Sequence, residues 1–223
     1  MFGRFQIVLG LTTLFLHPTH SYTQETCVSN SSKPYEWPGQ RNWFIAPNLY
    51  SGIVINMETM GVTTVGGPGN AITSYEGVSA ASNDKGELLF YTNGRSVWKG
   101  TGGAVTKTYG GLLTGNEGGL SNGSASQGVI TVRHPLDPAR YWVVTTDDAL
   151  GPTNGMNAFS FDTLGNLLSG PTRLGTFRTS EGISATLHSN GIDIWVTCLA
   201  SGTGQFHTFL LKCDGFESES VVS

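Results

Sequence analysis

Apolar and polar residues alternate in short bursts along this chain, and glycine, asparagine, aspartate and proline punctuate the bursts. Runs rich in β-branched and aromatic residues at period two read as half-buried strands, with the punctuation as turns. The runs 78–82 (VSAAS), 87–93 (ELLFYTN) and 95–100 (RSVWKG) predict one set of strands. Asn83, Asp84, Lys85 and Gly86 make a tight turn inside it, since Gly86 can take positive φ without steric cost. A second set runs 128–134 (GVITVRH), 141–146 (YWVVTT), 156–162 (MNAFSFD) and 167–170 (LLSG). A third runs 182–188 (GISATLH), 192–200 (IDIWVTCLA) and 205–214 (QFHTFLLKCD). Nothing in the pattern predicts a helix.

The three sets are copies of one pattern: a polar residue and a glycine, a β-rich run, a turn, then an aromatic-led run. The anchoring glycines Gly77, Gly128 and Gly182 stand 51 and 54 residues apart. An all-β repeat at about 40–50 residues is what a propeller blade array produces. The expected fold is therefore all-β, a partial β-propeller of about three blades plus a lead-in strand. The first runs of the copies are rich in small residues, which suits the crowded centre of a ring. Phe90, Trp142 and Trp195 match in the second strand, and packing between blades is their expected role.

Ahead of the repeats, residues 1–22 read as a secretory signal, with Arg4 before the apolar stretch 5–16. Residues 23–42 read as a linker, and 43–223 as the propeller region, with repeats near 74–100, 126–170 and 180–216. Residues 42–57 carry two short β-like runs, while 60–73 read as a glycine-rich loop. After Cys213 the sequence DGFESESVVS suggests no closing strand. Three and a fraction repeats do not close a ring of about four to eight blades, so the expectation is part of a longer ring.

Composition narrows the partners. Charged residues are 13% of the chain and the net charge is −4, with 31 glycines. Without grouped Lys and Arg, nucleic acid is not an expected partner, and anionic membrane surfaces are not either. No membrane-spanning segment is expected after the signal is removed. The 3 cysteines show no metal-ligand spacing. A hairpin turning at Ser201, Gly202, Thr203 and Gly204 puts Cys198 opposite His207, with Cys213 about 20 Å further along. A disulfide needs Cα atoms within about 7 Å, so no Cys198–Cys213 bridge is expected. Cys27 is left to pair elsewhere.

Candidate chemistry is sparse. Glu76, Gln127 and Glu181 each precede a repeat glycine, so stacked blades would gather them at one mouth of the channel, where a polar ring could take a cation or ligand. The competing and heavier reading is hydrogen bonding to the backbone of the neighbouring blade. Ser82, Asp84 and Gly86 partly match the Asp-box turn of sialidase propellers. Arg41, Arg95, Arg133, Arg140, Arg173 and Arg178 fall mostly at turns rather than as a cluster. His134 and His188 end equivalent first strands; metal ligation is one reading and turn residues the stronger one. Asp147 and Asp148, with Asn154, match no EF-hand spacing. No catalytic motif and no cofactor site is expected, and no metal site is assigned.

Taken in order, Asn42-Trp43-Phe44, Tyr75-Glu76-Gly77, DKGELLFYTNGRSVW (84–98), SASQGVITVRHP (124–135) and YWVVTTDD (141–148) make a recognisable series. It resembles the N-terminal propeller of type IX-secreted, gliding motility-associated bacterial surface proteins. That resemblance implies a secreted or cell-surface module for adhesion or ligand binding, with an extracellular polysaccharide or protein as ligand and no established catalytic residues. It also implies that the Trp43 stretch supplies the outer closing strand of the last blade. The alternative function is a carbohydrate-active, sialidase-like or glycosidase-like propeller enzyme.

Overall fold

The structure is a computed structural model, and it describes residues 42–45, 51–66, 74, 76–99, 125–147 and 155–223. These residues are all-β, with strands but no helix among them. The expected signal segment, Cys27, Tyr75, Asp148 and Asn154 lie outside the described residues.

Four antiparallel sheets follow one another in chain order. The first contains β1 (Asn42–Ile45), β2 (Ser51–Asn56) and β3 (Val62–Gly66). The second contains β4 (Ser79–Ser82), β5 (Leu88–Thr92) and β6 (Val97–Lys99). The third contains β7 (Val129–Arg133), β8 (Arg140–Thr145), β9 (Met156–Asp162) and β10 (Leu167–Leu174). The fourth contains β11 (Thr179–Leu187), β12 (Ile194–Ala200), β13 (Phe206–Lys212), β14 (Gly215–Phe216) and β15 (Val221–Val222). The first three sheets are simple meanders, and the fourth begins as one before β14 and β15 both pair with β13. The first strands are neighbours across sheets: β1 lies beside β4, β4 beside β7 and β7 beside β11.

Strand alternation explains the stack. Successive side chains leave a strand on opposite faces, so adjacent residues serve different interfaces. In the second sheet Ala80, Tyr91 and Trp98 pack with Phe44, Val54 and Val65 of the first. Their neighbours Ala81, Phe90 and Val97 pack with Val129, Tyr141, Val143, Phe159 and Phe161 of the third. The third sheet turns Val132, Trp142, Val144 and Met156 to Ile194, Val196, Phe209 and Leu211 of the fourth. Each inner sheet thus has two apolar faces, and the core is a series of inter-sheet layers.

The repeat glycine has a structural reason. A Cβ on Gly77 would sit 2.6 Å from Gly128 N and 2.7 Å from Ala125 O, all backbone that has no room to yield. The starts of the first strands therefore approach more closely than any side chain allows. Gly182 instead meets nothing within 4 Å, and its φ of +102° accounts for it.

Four of the sequence expectations need correction. The lead-in is a three-stranded sheet rather than one strand, because Val62, Thr63, Thr64 and Val65 pair with β2 inside the segment read as a loop. The Trp43 stretch does not close a last blade: it pairs with β2, Trp43 opposite Ile55, and lies beside β4. The tail after Cys213 does form closing strands, with Phe216 opposite Leu211 and Val222 opposite His207. The LLSG run extends to Leu174, with register shifts that a period-two reading does not follow. The cysteine expectation holds within the hairpin: Cys198 stands opposite His207 and is a buried free thiol. Cys213 is disulfide-bonded.

Candidate functional site

The loop before each first strand carries the polar residue that precedes its glycine. The structure brings two of the three candidates onto one residue of the sheet between them. Ser126 Oγ donates to Glu76 Oε2 at 2.5 Å, and Ser126 N donates to Glu181 Oε2 at 3.1 Å. Glu76 belongs to the second sheet's lead-in and Glu181 to β11, so the carboxylates approach the third sheet from either side. Gln127 joins through its backbone: its carbonyl accepts from Ile183 N at 3.1 Å. Its φ of 53° is unusual for a residue with a side chain, and it turns the chain into Gly128. Glu76 and Gln127 are exposed and Glu181 is half-buried.

Chemically this arrangement is a clasp. Two acceptors of charge-assisted hydrogen bonds lock the starts of three neighbouring sheets. Glu181 matches the expected contact to a neighbouring backbone, whereas Glu76 reaches a side chain. Ser126 is the residue that sequence reasoning missed. Its only signal was its place two positions before the repeat glycine, matched by Ser180 in the third copy.

The histidines and Asn83 do one job. Asn83, His134 and His188 each follow a first strand, and each backbone N–H closes the turn, to Glu87 O, Arg140 O and Asp193 O. Their side chains then cap the turn amides. Asn83 Oδ1 accepts from Lys85 N and Glu87 N at 3.0 and 2.9 Å. His134 Nδ1 accepts from Leu136 N and Asp137 N at 3.2 and 3.0 Å. His188 Nδ1 accepts from Asn190 N at 3.1 Å. An Nδ1 that accepts must be unprotonated. Burial holds His134 below the usual imidazole range, reinforced by the nearby Arg140 guanidinium and opposed by Asp137 and a backbone hydrogen bond at Cys213.

The remaining candidates are also tied to structure. Asp84 of the partial Asp-box forms a two-pronged ion pair with Arg133 of the next sheet. Tyr141 OH donates to Ser82 O at 2.8 Å across the same interface, and burial pushes its phenol upward. Arg140 pairs loosely with Asp137 at 3.7 Å. Asp147 is fully buried, and its Oδ2 accepts from Gly155 N at 2.7 Å. Burial pushes the Cys198 thiol up to about 12, which leaves little reactive thiolate. Among the described residues no group of three or more His, Cys, Asp or Glu could hold a metal. No helix there is long and apolar enough to cross a membrane. Against family models, curated proteins and solved structures the chain finds no match.

Proposed function

We propose that the four sheets are consecutive blades of a β-propeller, and that the chain is a secreted or cell-surface binding or adhesion module without catalytic activity. The observation that carries this reading is the order of the sheets: they stack in chain order with their first strands side by side. Radial repetition of such sheets is how propellers are built. The close approach of Gly77 to Gly128 supports it, since first strands crowd at a ring's centre. The disulfide at Cys213 supports an oxidising, extracellular compartment. The resemblance to gliding motility-associated surface proteins points to the same setting, with a polysaccharide or protein as ligand. The mouth around Glu76, Gln127 and Glu181 is where we place ligand contact.

The test is retention of the secreted protein on immobilised polysaccharides and matrix proteins, alongside assays with glycoside substrates. The combined Glu76→Gln and Glu181→Gln variant should weaken retention by about tenfold or more, the effect of losing a charge-assisted hydrogen bond. Retention that ignores both substitutions would remove the mouth from the reading. Turnover of a glycoside would replace the binding module with an enzyme.

A further inference from the structure

Phe90, Trp142 and Trp195 are equivalent by register as well as by sequence. Each stands opposite the residue four positions after a repeat glycine: Ala81, Val132 and Thr186. The next sheet covers the first two, so Phe90 is 0% and Trp142 8% exposed. No sheet covers Trp195. It lines an open groove of about 360 Å³ with Ser184, Thr186, Thr197, Thr208 and Val221 on the far face of the fourth sheet. At the other end of the stack the far face of the first sheet is also bare. Trp43 is 56%, Ile45 45% and Val62 63% exposed, and Ile53 and Ile55 lie between them at register positions of the same face.

From these two faces we infer that the chain pairs with a second copy of itself, the first sheet of one copy packing on the fourth sheet of the other. The argument is continuity with the interfaces already in the molecule. Every internal interface joins the face bearing the Phe90 or Trp142 position to the opposite face of the following sheet. The face bearing Trp195 is the next such seat, and the first sheet offers a bulky apolar face of the kind that fills one. One copy therefore carries both halves of the missing interface. The two contacts are heterologous, and a two-fold axis repeats them once, which closes a ring of eight sheets. Eight lies within the range of about four to eight blades in propellers. Side-chain volume agrees in kind: large residues on the first sheet meet a groove walled by Ser and Thr on the fourth.

The inference rests on the ring reading of the stack, so the experiment separates the two. Light scattering coupled to size exclusion reads the mass of the purified protein, and negative-stain images read its shape. Twice the chain mass with ring-shaped particles is the expected result. Trp195→Glu and Val62→Glu each lie on a bare face, so each should give a folded monomer with unchanged circular dichroism. Mixing these two variants restores one of the two contacts and should return part of the dimer. Dimers without a ring would overturn both the pairing and the ring. A monomer would overturn the pairing alone. Acrylamide quenching of Trp195, read as the difference from Trp195→Phe, then states whether the face is bare or covered from within the chain.

Discussion

Phe90 is the sharpest probe of the stacked-sheet core. Its ring is fully buried between the second and third sheets. It meets Tyr141 edge-on at 5.9 Å and Phe161 at 5.7 Å between centroids. Cutting Phe90 back to alanine removes roughly 120 Å² of buried apolar surface, about 3 kcal/mol at about 25 cal/mol per Å². The two lost aromatic contacts add about 1–2 kcal/mol. A loss of about 4 kcal/mol falls within the range of about 3–5 kcal/mol for such truncations. For a chain of this size, that lowers Tm by about 8–16 °C. Phe90→Leu keeps most of the volume and should cost under about 1.5 kcal/mol. Leu164→Ala, at a turn position 54% exposed, is the control and should change little. Thermal unfolding followed by circular dichroism reads all three. If Phe90→Ala melts within about 3 °C of wild type, the sheets are not packed on Phe90 and the layered core is wrong.

Gly77→Ala should destabilise by about 1–3 kcal/mol, because its Cβ would press on the Gly128 and Ala125 backbone. Chemical denaturation checks this, and a neutral result would remove the close approach of the first strands. His134 binds a proton less readily folded than unfolded, so its contribution is complete above about pH 6.5 and declines as pH falls below it. His134→Asn, which copies the Asn83 cap, should flatten that acid-side slope in a pH series of unfolding free energies; an unchanged slope assigns it to other groups. Asp84→Ala should cost under about 1 kcal/mol, since the Asp84 side chain is 64% exposed and solvent screens the pair. Urea melts should show that small cost shrinking in about 1 M salt, and a cost of several kcal/mol would mean that the pair holds the sheets together.

Local rules made much of this fold readable. The turn after each first strand was visible as Asn83-Asp84-Lys85-Gly86, Pro135 to Arg140 and Ser189-Asn190-Gly191, because turn residues declare themselves by φ preference and side-chain capping. The hairpin register that puts Cys198 opposite His207 followed from loop length alone. The failures have a common cause. β3 hides in a glycine-rich stretch and β14 and β15 in an acidic tail, and each pairs along an existing strand. Backbone pairing of that kind needs a neighbouring edge more than it needs a hydrophobic pattern.

The site was legible only as positions. Glu76, Gln127 and Glu181 were singled out because they repeat, but Ser126 decides what they do, and it is one of many serines until the sheets are stacked. Trp195 makes the same point from the other side. By sequence and by register it is the twin of Trp142, yet one ring is covered by the fourth sheet and the other opens onto a groove. Alternation along a strand tells which residues share a face, whereas only the neighbouring sheet decides whether that face is core or surface. The repeat that reveals the fold therefore also marks its two unfinished faces. Because those faces are equivalent to halves of interfaces the molecule already makes, substitutions on them should act on assembly and leave the fold intact.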